Sequence, residues 1–168
     1  NCYGEFVEAK EPLEVGADLI AGSLIKNPGG GIVEAGGYIA GKAKWVEKSA
    51  NRLTAPGIGS EGGAMFNQHR LMFQGLFMAP SVVSEAVKGA VLAAKIFDEI
   101  GYDSSPKYYE KRTDIIQNIT FGAPEPLEQF CRTIQSLSPV NGYVTPIPEY
   151  IPGYEDKVIM AGGTFIEG

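Results

Sequence analysis

Between residues 81 and 100, apolar side chains recur at three- and four-residue steps. Val83, Val87, Ala90, Val91, Ala94 and Phe97 form one stripe, and Glu85, Lys88, Lys95 and Asp98 lie mostly off it. Gly101 stands where a helix C-terminal cap belongs. At 1.5 Å per residue such a helix is roughly 30 Å long, enough to cross a whole domain. A chain of 168 residues has to be organised around it. Upstream, the patterning predicts strands over residues 17–24 and 36–40 and a helix over 42–53, with Trp45, Val46 and Ala50 on one face. A Gly- and Pro-rich loop over 54–63 and a short helix over 67–78 follow. Downstream it predicts a strand over 114–121 and an amphipathic helix over 124–137, with Leu127, Phe130, Cys131, Ile134 and Leu137 on one face. A long loop over 138–153 and strand-like sequence from 157 complete the chain. This order predicts an α/β region over residues 1–80 and a smaller α+β region over 81–168, joined by the long helix.

Charge and composition narrow the function. The formal net charge is −6, against the basic face that nucleic-acid binding needs. No apolar stretch is expected to reach the roughly 18 residues of a membrane span, and no secretory signal pattern opens the chain. Cys2 and Cys131 are too far apart for a metal motif or a disulfide framework, and read as reduced thiols of a cytoplasmic protein. His69 is the sole histidine, which excludes a His-rich metal site; it reads as a solvated or capping residue. Glu5, Glu8, Glu11 and Glu14 fall at every third position and read as a charged exposed face. Asn118-Ile119-Thr120 fits the glycosylation sequon and reads as an accident of a strand. The chain opens on Asn1 inside a segment that reads as ordered and stops in an apolar, strand-like stretch, so a fragment of a longer protein is expected.

The chemistry concentrates in Gly16-Ala17-Asp18-Leu19-Ile20-Ala21-Gly22-Ser23-Leu24-Ile25-Lys26-Asn27-Pro28-Gly29-Gly30-Gly31. An apolar run ends in a small hydroxyl residue, a lysine follows three positions later, and a glycine-rich turn follows that. A Schiff-base lysine needs an amine that is deprotonated often enough to attack a carbonyl, a fixed distance from the cofactor, and nearby phosphate donors. Lys26, Ser23 and the turn amides permit all three. On chemistry alone, a strand-terminal lysine is more often a solvated surface residue.

The wording around this segment is more specific. Asn1, Gly16-Ala17-Asp18 and Ser23-Leu24-Ile25-Lys26 stand in the order and spacing of the cystathionine-lyase and methionine gamma-lyase group, so the chain resembles pyridoxal-phosphate enzymes of the aspartate-aminotransferase fold, fold type I. Asn1-Cys2-Tyr3-Gly4-Glu5-Phe6, Gly36-Gly37-Tyr38-Ile39-Ala40-Gly41, Arg52-Leu53-Thr54-Ala55-Pro56-Gly57-Ile58-Gly59, Tyr143-Val144-Thr145-Pro146 and Pro152-Gly153-Tyr154 resemble the aluminium-resistance, methionine gamma-lyase-like branch. The resemblance implies the end of the large cofactor domain plus most of the small C-terminal domain. It implies that Lys26 forms the Schiff base with pyridoxal 5'-phosphate and shuttles the substrate's α proton, and that Ser23 hydrogen-bonds the phosphate. It places the acidic partner of the pyridinium nitrogen just before Asn1, the phosphate loop and ring-stacking aromatic further upstream, and the carboxylate-gripping arginine beyond Gly168. Ile25 departs from the hydroxyl residue often found before the lysine, and its side chain cannot bind phosphate.

Other groupings carry less. Gly29-Gly30-Gly31 lacks P-loop or dinucleotide spacing and reads as a flexible turn before it reads as a phosphate cradle. Arg52 reads equally as a helix-terminal arginine or as a phosphate or carboxylate ligand, even across a dimer interface. The Tyr143 loop could line a substrate entrance or be an ordinary surface loop, and the spacing of Met65, Met72 and Met78 is that of packing. The expected function is a pyridoxal-phosphate-dependent carbon–sulfur lyase, performing β- or γ-elimination on a small sulfur-containing amino acid as a cytoplasmic homodimer or homotetramer with no nucleic-acid or membrane partner. The competing expectations are a catalytically silent fragment and a non-enzymatic anion-binding or assembly module.

Overall fold

The computed structural model describes residues 1–162. It is a mixed α/β structure in which two antiparallel two-stranded sheets flank a long helix. The first sheet joins β1 (Leu19–Ser23) and β2 (Gly37–Gly41), with Ile20 opposite Ala40 and Gly22 opposite Tyr38. Helix α1 (Ala43–Leu53) follows directly, as the alternation of charged and apolar residues predicts, and a loop containing a 3-10 turn (Gly59–Glu61) leads onward.

The two helices expected over 67–78 and 81–100 are a single helix, α2 (His69–Glu99), of 31 residues. Pro80 lies inside it. A mid-helix proline removes one backbone donor and crowds the preceding turn. Here the ring projects from the exposed side, and packing along the opposite side carries the helix through. Gly75, Ala79, Val83, Ala90 and Ala94 are buried along that side. By length and composition α2 is long and apolar enough to cross a membrane, where the sequence was expected to hold no apolar stretch of that length. The predicted end is as built: Gly101 has φ +95°, its N–H donates to Asp98 O at 3.2 Å, and Tyr102 N–H donates to Phe97 O at 2.9 Å. These two bonds are those of a Schellman motif.

The second sheet pairs β3 (Asp103–Ser105) with β4 (Asn118–Thr120), Ser104 opposite Ile119. The strand expected over 114–121 is thus shorter than its pattern, and β3 has no sequence signal because Asp and Ser are poor strand formers. Helix α3 (Pro124–Leu137) matches its prediction. It meets α2 through an aromatic cluster: Phe97 lies 5.5 Å from Phe130 and 5.7 Å from Phe121, and Tyr102 lies 5.0 Å from Phe121. Buried Gln135 ties α3 to the following loop, donating to Asn141 O at 2.8 Å and accepting from Gly162 N at 2.7 Å. The strand-like sequence from 157 makes a single bridge, Val158 to Glu149, and residues 163–168 lie outside the described residues.

Two further contacts hold the long helix. Arg112, only 8% exposed, donates to Ala90 O and Ile116 O at 3.3 Å and to the Gln117 side chain, pinning the loop before β4 across α2. At the other end, the turn after β1 meets α2 backbone to backbone. A Cβ on Gly75 would lie 2.3 Å from Gly29 O, and a Cβ on Gly30 would lie 2.3 Å from Gly75 O. Neither neighbour is a flexible side chain, so Gly75→Ala forces the two elements apart. Loss of about 1–3 kcal/mol is expected by chemical denaturation. Gly89→Ala in the same helix meets nothing within 4 Å and should stabilise by up to about 1 kcal/mol.

Asp98 joins α2 to β3. It accepts the Ser104 hydroxyl at 2.7 Å and the Lys107 ammonium at 3.0 Å, which together hold its carboxyl below the usual carboxylate range. A carboxyl whose pKa is lowered by folding stabilises the fold above its unfolded value, and that contribution is lost as pH falls through the folded value. Ser104→Ala should therefore raise the Asp98 pKa toward about 3.9, followed by NMR titration, and shift acid unfolding to higher pH.

Candidate active site

Strand β1 ends at Ser23, opposite Gly37. The chain then turns: Ser23 Oγ accepts the Ile25 N–H at 3.3 Å, and Ser23 O accepts the Lys26 N–H at 3.4 Å. Ser23 thereby shapes the turn through its oxygens, and its hydroxyl hydrogen has no protein acceptor among the described residues. Lys26 is extended, with φ −99° and ψ −150°, and caps a 3-10 turn over Asn27–Gly29. Its Nζ sits 5.7 Å from the centroid of the Tyr3 ring. The side chain is half-buried, and none of the ion pairs among the described residues involves it. In a chain of net charge −6, a half-buried amine beside an aromatic ring and without a carboxylate is a group placed for something other than a salt bridge.

Residues 1–15 build the floor under this turn. Glu5 is 4% exposed, so the reading of four glutamates on one solvated face is corrected. The regular spacing would mark a face only in a helix, and this stretch is a series of turns. Glu5 Oε1 accepts the Tyr38 hydroxyl at 2.7 Å, and Glu5 O accepts Asn27 Nδ2 at 3.0 Å. Burial, the hydrogen bond to Glu5 and the Glu5 charge, with smaller contributions from Glu11 and Cys2, push the Tyr38 phenol well above its usual range. Tyr38 is therefore the donor. Glu8 pairs with Lys111, while Glu11 and Glu14 cap the 3-10 turn Pro12–Val15.

The glycine-rich turn is neither flexible nor an open cradle. Asn27, Pro28, Gly29 and Gly30 are buried against α2. Gly29 N–H donates to Lys26 O at 2.9 Å and Gly30 N–H to Asn27 O at 3.2 Å, so both amides are used inside the turn. Arg52 is not joined to Lys26 by any contact. It is exposed and lines an open groove of about 590 Å³ with Leu19, Ile39, Trp45, Lys48 and Leu53. Tyr143 is exposed beside Arg132 and Thr133, in a depression of about 320 Å³ on α3. His69 is the exposed first residue of α2, and no group of acidic, Cys or His side chains among the described residues could hold a metal ion. Sequence reasoning missed Tyr3, Glu5 and Tyr38. Their only signal was their place in the family-like wording on either side of the lysine segment.

The whole chain, residues 1–168, matches the methionine gamma-lyase family model. The chain belongs to the methionine gamma-lyase family. It is 57% identical over all 168 residues to the uncharacterised protein YnbB of Bacillus subtilis, of which it covers 40%. Among solved structures, it aligns over its full length with a Listeria monocytogenes protein provisionally named a cystathionine beta-lyase involved in aluminium resistance, at TM-score 0.95 and 55% identity, covering 42% of that chain. A carbon-sulfur lyase involved in aluminium resistance from Clostridium novyi matches with TM-score 0.91 and 53% identity, and 39% of its length is covered. The chain thus spans about two-fifths of the length of these relatives. The resemblance drawn from the Lys26 wording agrees with the family match and with the names of these neighbours.

The site's geometry rests on Gly22. A Cβ there would lie 2.4 Å from Tyr38 Cε1 and from Asn1 O. In this family member the Tyr38 ring lies directly on the strand that leads to Ser23 and Lys26. Gly22→Ala should displace the ring, cost about 1–3 kcal/mol in denaturant melts, and raise the solvent exposure of Tyr38, read from its fluorescence quenching.

Proposed function

We propose that this chain carries the cofactor lysine of a pyridoxal-phosphate-dependent carbon–sulfur lyase of fold type I, acting by β- or γ-elimination on a sulfur-containing amino acid. The observation that carries the reading is the Lys26 amine. It is half-buried, has no ion-pair partner among the described residues, and follows by three residues a serine whose hydroxyl hydrogen is free to donate. Membership of the methionine gamma-lyase family and the lyase names of the neighbours support the same reaction class.

The residues fit the cofactor. An aldehyde needs an amine that is not held in a salt bridge, and a phosphate needs a donor. Lys26 offers the first and Ser23 Oγ the second. Bound there, pyridoxal 5'-phosphate supplies an electron sink for the α carbon of an amino acid. Lys26 would hold it through Nζ and, once released, take the substrate's α proton at the same nitrogen. The Ser23 hydroxyl would orient the phosphate. The Tyr3 ring, against the amine, would keep water from one side of it. The packed turn Asn27–Gly29 would fix the backbone on which the amine stands.

The same reading assigns residues 1–80 to the end of the large domain and 81–168 to the small one, with α2 serving both. It assigns the exposed apolar side of α2, where Phe73 is 72% and Phe77 87% exposed, to contacts within a homodimer or homotetramer of a cytoplasmic protein. In the full-length protein, addition of pyridoxal phosphate should produce a visible absorbance band that Lys26→Ala abolishes. Ser23→Ala should keep the band and weaken cofactor affinity by about tenfold or more, the equivalent of one hydrogen bond to a charged group. A band that persists in Lys26→Ala would overturn the assignment.

A further inference from the structure

We propose that Glu5 and Tyr38 are positioning residues for the Lys26 amine, forming a clamp that closes over the strand and turn on which that amine stands. The inference rests on the reading of Lys26 as the cofactor-holding lysine. Three contacts carry it. Tyr38 projects from β2, its ring lies on Gly22 one residue before Ser23, and its hydroxyl donates to Glu5 Oε1 at 2.7 Å. Glu5 then holds the other side of the turn, its carbonyl accepting Asn27 Nδ2 at 3.0 Å immediately after Lys26. Two residues before Glu5, the Tyr3 ring faces Lys26 Nζ. A single short segment therefore touches the amine, the residue that follows it and the ring that covers the strand before it.

The chemistry suits positioning rather than proton transfer. The Tyr38 phenol is pushed above its usual range, so it stays a donor, and the Glu5 carboxylate is its acceptor. A buried carboxylate is costly unless its hydrogen bonds are made. Glu5 Oε2 is buried with no donor among the described residues, so the Tyr38 hydroxyl is the side-chain contact that holds this charge in place. Losing it frees Glu5 to reorganise, and with it the carbonyl on which Asn27 is hung.

The test uses the full-length protein with four forms: wild type, Tyr38→Phe, Glu5→Gln and Glu5→Ala. Two rates are measured in cofactor-free protein. One is formation of the visible band on adding pyridoxal 5'-phosphate. The other is acetylation of Lys26 by acetic anhydride relative to the exposed Lys88, read by mass spectrometry. Tyr38→Phe should slow band formation about tenfold to hundredfold, the range of a hydrogen bond to a charged acceptor, and raise the Lys26 to Lys88 acetylation ratio severalfold. Glu5→Ala should do the same, and Glu5→Gln, which keeps an acceptor for Tyr38, should recover most of both effects. A general loss of stability would lower the melting temperature without moving the acetylation ratio. Wild-type rates in Tyr38→Phe, or a Glu5→Gln protein as impaired as Glu5→Ala, would overturn the clamp. Absence of a band in the wild type would overturn the cofactor reading instead, and the acetylation ratio would still report on the clamp.

Discussion

The contact on which this structure depends is between two backbones. The turn after β1 and the long helix α2 meet at Gly29, Gly30 and Gly75, close enough that a single Cβ on either side would strike a carbonyl at 2.3 Å. Everything in the candidate site hangs from that turn. Lys26 caps it, Asn27 anchors it to Glu5, and its amides are used within it. The helix in turn is held by Arg112 across Ala90 and by the aromatic cluster around Phe97. A rigid element about as long as a domain thus reaches the turn that follows the candidate lysine, a short mechanical path between the second sheet and the site.

The same contact shows why local patterning went only part of the way. Strands β1 and β2 and helices α1 and α3 followed from periodicity because each buries one face locally. The division of α2 at Pro80 did not hold, because proline's cost is local while the packing that outweighs it comes from the turn and the second sheet. Gly29-Gly30-Gly31 was legible as a turn. That Gly30 lies against a helix backbone could not be read without Gly75, more than forty residues away. β3 had no pattern to read, since the Ser104 hydroxyl is buried only through its bond to Asp98.

For the candidate site, Lys26 and Ser23 were legible from their spacing and from the surrounding wording, and their neighbours were not. The glutamates at 5, 8, 11 and 14 share a spacing and have different roles. One is a buried acceptor, one an ion-pair partner and two cap a turn. A three-residue repeat carries meaning only where the backbone has a matching period, and within residues 1–15 that is the 3-10 turn Pro12–Val15 alone.

Electrostatics and packing converge on the amine. Among the described residues, Lys42, Lys88, Lys95, Lys107, Lys111 and Arg132 form ion pairs, and Lys26 does not. Glu5, the carboxylate buried under the lysine turn, is taken by Tyr38. The tyrosine on β2 therefore does two things: its ring lies on the strand at Gly22, and its hydroxyl meets the buried Glu5 carboxylate, whose backbone carbonyl holds Asn27 of the turn.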